Sequence, residues 1–226
     1  MQPLILLTII NFMTQLRHVE PSTQYVVAVG LIGSWSYVLY SSGVSLIDEK
    51  WRGTMEYLVS SQTSLFNILI TKTINNAFVG FLTLIITYLY AKNIYSFEWE
   101  ISNYITFAGS LVVTFLSLMS LGTLLAVVFL YFTNVYEYQN LILYPIPIIS
   151  GVFYPIEQIS EILHYVASCL PLTWAISGLY KAINNGQYSI DLIYSIILSI
   201  VLLSVSFFLI KQAEIKMKNT GKMGGL

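Results

Sequence analysis

The stretch from Tyr25 to Ile47 reads YVVAVGLIGSWSYVLYSSGVSLI, holds no charge, and runs directly into Asp48-Glu49-Lys50-Trp51-Arg52-Gly53-Thr54-Met55-Glu56. A helix needs about 20 apolar residues to cross a hydrocarbon layer about 30 Å thick. This stretch is long enough to do so, and the charges after it mark where the chain returns to water. Its polar interruptions are small, among them Ser34, Ser36, Ser41 and Ser42.

The same pattern recurs on both sides. Residues 66–90 form a second long apolar run, with Lys72 near enough to its start for the amine to reach the headgroups. Residues 104–132 are again free of charge, 138–153 are apolar but broken by Pro145 and Pro147, and 190–210 form the last run. Residues 4–16 are apolar and short, and no positive charge precedes them as it would in a secretory signal. Across the chain 56% of residues are hydrophobic and 9% charged, against roughly 25% charged in soluble domains. The expected fold is an all-α polytopic membrane protein, one transmembrane domain over 1–226, with about six transmembrane helices at 4–16, 25–47, 66–90, 104–132, 138–153 and 190–210.

Residues 154–189 are too apolar for an ordinary exposed loop, yet they carry Glu157, Glu161 and Lys181. Irregular backbone at membrane depth needs protein or water partners, so 154–175 is expected to dip into the membrane as a re-entrant segment against other helices. Basic residues in short loops set orientation. Placing the charged string in the cytoplasm puts Lys50, Arg52, Lys72, Lys211, Lys216, Lys218 and Lys222 on that side, and Arg17, Lys92 and Lys181 on the other. That imbalance predicts a multi-pass protein of the cell membrane with both termini cytoplasmic.

Read as one helix over 48–60, the charged string separates into two stripes. Asp48, Arg52 and Glu56 recur every four residues with alternating sign, and Trp51, Met55 and Leu58 recur at four and three. Pattern alone leaves two readings open: a surface helix with Trp51 at the headgroups, or a helix that docks on a partner. The string Asp48 to Leu58, followed by Ser60-Ser61-Gln62-Thr63, resembles the signature after the second helix of type-2 ABC-transporter permeases. In that family the segment is a coupling helix that rests in a cleft of the ATP-binding subunit. The resemblance implies that Asp48, Glu49, Trp51, Arg52, Gly53, Thr54, Met55, Glu56 and Leu58 form the ATPase-coupling interface. Gly53 and Thr54 would be packing and cap positions.

A second match lies on the opposite side. Ser150-Gly151-Val152-Phe153-Tyr154-Pro155-Ile156-Glu157, then Leu170-Pro171-Leu172-Thr173, resembles the re-entrant motif that the same family carries before its final helix. Ser150, Gly151, Tyr154, Pro155, Glu157, Pro171 and Thr173 are the residues that carry it. Members of the family also begin with a cytoplasmic amphipathic helix and a full first span, and neither is evident in Met1 to Leu16. The resemblance therefore covers about Tyr25 to Ile210.

No GxxxxGK followed by Ser or Thr occurs, so the chain lacks the loop that cradles nucleotide phosphates. The resemblance implies no catalytic residue and no cofactor here, with ATP and Mg on a separate ATP-binding cassette subunit, and a second permease copy or a sister permease to complete the pathway. His18, His164 and Cys169 have no ligand spacing, so no metal is expected. The net charge of −1 offers no field for nucleic acid. Ser34, Ser36, Asn75, Asn76 and Asn140 are candidates for lining a polar pathway, helix packing being the commoner role of such residues. The expected function is an export permease of a bacterial plasma membrane, moving apolar cargo such as drugs or peptides by alternating access. The alternative is a non-transporting immunity, sensor or scaffold protein that recruits a cytoplasmic partner with the same helix.

Overall fold

A computed structural model of the chain describes residues 2–18, 22–97, 101–132, 134–153, 161–184 and 189–220. Tyr154, Pro155, Glu157 and Lys222 lie outside the described residues. Every element described is a helix: α1 (Gln2–Leu16), α2 (Thr23–Gly43), α3 (Ser45–Trp51), α4 (Met55–Ser60), α5 (Leu65–Tyr95), α6 (Tyr104–Phe129), α7 (Val135–Leu143), α8 (Pro145–Ile149), α9 (Glu161–Ser168), α10 (Pro171–Ile183) and α11 (Ser189–Thr220). Three long helices start where the sequence supplies a side-chain acceptor for their free N–H groups. Ser22 accepts from the Gln24 amide, Ser64 from that of Asn67, and Asn103 from those of Ile105 and Thr106.

Among the described residues four helices are long and apolar enough to cross a membrane: Thr23–Trp51 (α2 continued by α3), α5, α6 and Ile190–Asn219 of α11. The pair α9 and α10, bent by 96° at a short break, makes up to five. The chain is thus an all-α polytopic membrane protein.

Two of the expected spans take another form. The first is α1, whose 15 residues rise only about 22 Å. It covers just the half of α2 nearer Thr23, because Pro3 at its start already sits against Gly33, and midway along it Tyr95 donates to Thr8. The second is 138–153, which divides into α7 and α8 on either side of Tyr144. Pro147 has no N–H to give the Leu143 carbonyl one turn back. That orphaned acceptor is taken by the indole of buried Trp35 at 2.9 Å, and one helical turn earlier Gln139 donates to the Leu39 carbonyl at 2.8 Å. The break is tolerated because α2 supplies what α7 lacks.

The buried centre of the bundle is α2. A Cβ at Gly30 would meet the Leu84 backbone at 3.0 Å, and one at Gly80 would meet the Ser34 carbonyl oxygen at 3.0 Å. Only glycine lets α2 and α5 come this near, which is how helices adhere where lipid removes the hydrophobic drive between them. Ser34 and Thr83 hydroxyls meet across the same seam at 3.2 Å, and Gly122 of α6 lies against Val38 of α2. At the end opposite the charged string, α10 docks on α11 through Ser195, which donates to the Pro171 carbonyl at 2.9 Å, and through Lys181 on Asp191 at 2.7 Å. Asp191 falls inside the expected 190–210 span and is nearly buried, so Lys181 supplies its counter-charge. Cys169 is exposed at the corner between α9 and α10. The last helix runs ten residues past the expected end at Ile210, to Thr220.

Replacing Trp35 with Phe keeps the ring and removes the donor. The stranded Leu143 carbonyl should lower stability by about 1–3 kcal/mol. Thermal unfolding of the detergent-solubilised chain reads this as a lower midpoint; an unchanged midpoint would show that the indole bond does not hold the break.

Candidate functional site

The charged string forms a helix-turn-helix rather than the single helix expected over 48–60. Gly53 adopts a left-handed φ of +70°, its N–H donates to the Lys50 carbonyl at 3.2 Å, and the Thr54 N–H donates to that of Glu49 at 3.0 Å. This pair of bonds around a left-handed glycine is the Schellman ending, which satisfies the last carbonyls of α3 and stops it. A Cβ at Gly53 would meet nothing within 4 Å, so the residue is fixed by backbone sign and not by packing. Thr54 caps in an unexpected direction. Its hydroxyl makes no cap bond to α4 and reaches back to the carbonyl and carboxylate of Glu49.

The break redistributes the two predicted stripes. Met55 and Val59 are 2% exposed and lie in a cluster with Leu46, Leu65, Leu69, Ile210 and Met217, with Leu58 packed against it. Met55 and Leu58 are therefore docked on this chain's own α5 and α11. Trp51 is left outside, 52% exposed, with its ring 5.9 Å from that of Tyr136. Of the ionic stripe, Arg52 pairs with Asp48 at 3.0 Å, while Glu56 is exposed beyond the turn. Glu137, a further carboxylate on this side, is exposed and accepts from Asn134.

Glu49 points inward. It accepts from the Lys72 ammonium and the Thr54 hydroxyl, so it clamps the turn to α5. Lys72 is thereby committed to a protein carboxylate and not to the headgroups. A second tie lies beside it: Glu214 accepts from the Leu65 amide at 3.4 Å and from Lys218 at 2.6 Å. This sets a negative charge at the start of α5, where the helix dipole favours one. What remains free for another molecule is a face made of Trp51, Arg52, Glu56 and Tyr57.

On the opposite side, Gly151 turns the chain after α8 with φ +80°. Ser150 and Thr173 are buried, and their hydroxyls bond to none of the described residues. Pro171 opens α10, where its missing N–H costs nothing. The segment expected over 154–175 is described only from Glu161, as the bent α9 and α10. The five pathway candidates are mostly engaged in packing. Ser34 and Ser36 donate to the Gly30 and Ile32 carbonyls, Asn76 to Ser42, and Asn140 accepts from Tyr40 at 2.6 Å. Asn75 is exposed on α5.

Four contributors escaped the sequence. The sequence places Lys72 at the headgroups, gives Trp35 and Tyr136 no partner, and hides Asp191 inside an apolar run. A lone carboxylate in the first turn of a span was the usable signal for Asp191, since such a charge must find a partner. The distant pairs leave no local trace.

A family model described as ABC-2 type transporter matches residues 1–184. No curated protein matches the chain.

The clamp at Glu49 is open to a double-mutant cycle. Glu49→Gln and Lys72→Met should each destabilise the chain, and together by less than the sum of the two, with a coupling of about 1 kcal/mol for a partly buried pair. Additive losses in chemical denaturation would mean that the two charges do not act on each other.

Proposed function

The chain belongs to the ABC-2 type transporter family, and on that premise we propose that it is an export permease whose charged turn is seated on an ATP-binding subunit. The family makes it a membrane-spanning permease subunit of an ABC transporter, and in this reading ATP and Mg would be held by a separate subunit. The finer reading rests on the turn. An exposed face of Trp51, Arg52, Glu56 and Tyr57 stands on two helices whose inner residues, Met55 and Val59, are sunk between α5 and α11.

That arrangement suits a lever. Closure of the ATPase around nucleotide would press on the face, and the Glu49 clamp and the buried methionine would carry the displacement to α5 and α11, a rigid-body route of coupling. Arg52 and Glu56 would set charge complementarity, which governs partner choice and encounter more than raw affinity. Trp51 and Tyr57 are the aromatic types that anchor interfaces. A second permease, either another copy or a sister chain, would complete the pathway, and alternation between inward-open and outward-open forms would move apolar cargo out of the cytoplasm. The turn and both termini lie on the cytoplasmic side in this reading.

Substituting Arg52 and Glu56 together by Ala should reduce co-purification with the cognate ATPase at least several-fold and reduce substrate-stimulated ATP hydrolysis in reconstituted vesicles in parallel, leaving the permease folded. Assembly and stimulation both at native levels would remove the turn from the coupling path. Assembly without any substrate dependence in the native pair would favour a scaffold instead.

A further inference from the structure

A groove of about 430 Å³ lies between the start of α5 and the middle of α11, walled by Phe66, Ile70, Ile200, Leu203, Phe207 and Phe208, with Ser204 as its polar lining residue. We propose that this groove holds one acyl chain of an anionic phospholipid whose phosphate rests on Lys211. The inference does not depend on which cargo the permease moves, and it concerns a face that the charged turn does not use.

The first argument is chemical. Ile200 and Phe208 are exposed on the outer side of a membrane-spanning helix, where the contacting medium is lipid and not water. The wall is braced from within, since Phe66 and Phe207 meet edge to face with centroids 5.0 Å apart. An apolar, elongated occupant suits such a wall.

The second argument is length. Residues 192–210 are uncharged and Lys211 ends the run, so Lys211 sits where the apolar part of α11 meets the polar layer. From Ile200 to Lys211 the helix rises roughly 16 Å, about half of a 30 Å hydrocarbon core. The groove, lined on α11 from Ile200 to Phe208, therefore starts near the middle of the membrane and opens toward Lys211, which lies about one turn beyond it.

The third argument is charge. The Lys211 ammonium lies 5.8 Å from the centroid of the Phe207 ring, so a cation is held against the groove wall by the ring face. Among the described residues no carboxylate pairs with it. The carboxylate nearest along the helix, Glu214, is engaged by Lys218 and the Leu65 amide, and Lys72 at the other wall is engaged by Glu49. One free cation at the mouth of an apolar groove selects a lipid with net negative charge over a zwitterionic one.

The test uses the full chain in micelles doped with equimolar phosphatidylglycerol and phosphatidylcholine, and native mass spectrometry of the lipid it retains. Phosphatidylglycerol should be retained about fivefold over phosphatidylcholine, the selectivity expected of one cation near the surface. Lys211→Gln should bring the ratio close to one, Lys211→Arg should restore it, and Lys92→Gln, at the other end of α5, should leave it unchanged. Ser204→Trp should fill the groove and remove the retained lipid of both kinds. Equal retention of the two lipids by the native chain, selectivity that survives Lys211→Gln, or a bound lipid that survives Ser204→Trp would each overturn the proposal. Because Lys211 is exposed, the Gln and Arg variants test it without disturbing the fold.

Discussion

The approach of α2 to α5 at Gly30 and Gly80 is the constraint on which the rest of the bundle depends. Inside lipid there is little hydrophobic gain from bringing two apolar helices together, so adhesion must come from contact area and from short polar bonds. Glycine supplies the first by letting backbone meet backbone, and Ser34 with Thr83 supplies the second. With α2 held so, its remaining faces become the surface on which α1, α6 and α7 are arranged. A larger residue at either glycine would push on backbone or branched side chains with no free end to yield.

From this follows the way the chain handles broken helices. A membrane interior cannot hydrate a free carbonyl, yet Pro147 creates one at Leu143 and the corner between α9 and α10 interrupts another segment. In each place a neighbouring helix answers. The Trp35 indole meets Leu143 and Ser195 meets Pro171; at the far end of α10, Ser102 of the segment leading into α6 donates to the Ile183 carbonyl at 2.7 Å. The buried Asp191 follows the same logic with charge in place of a dipole. A carboxylate buried in protein persists because Lys181 extends to it from the last turn of α10, and leaving Asp191 alone there would be costly.

The long runs at 25–47, 66–90, 104–132 and 190–210 were legible because a span is a property of local composition, and the four helices long and apolar enough to cross a membrane fall where those runs lie. The prolines at 145 and 147 likewise announced an interruption. What sequence reasoning missed was of two kinds. Helical periodicity over 48–60 is kept on both sides of Gly53, so the spacing of Asp48, Arg52 and Glu56 read as one helix although a left-handed glycine divides it. The second kind is non-local: Glu49 and Lys72 are 23 residues apart, and Trp35 and Leu143 are 108. No pattern in the chain says which side chain will cross such distances. The family motifs drew attention to this turn, while only the structure separates the residues that hold it in place from those it offers outward.

Cys169 is the one thiol in the chain, and it is exposed at the corner between α9 and α10, at the end of the bundle away from Trp51 and Arg52. The native sequence thus carries a ready attachment point for a fluorophore or spin label, with no competing cysteine to remove. A reporter placed there watches one end of the molecule, so any displacement relayed from the proposed coupling face at the other end could be timed on an otherwise unaltered protein.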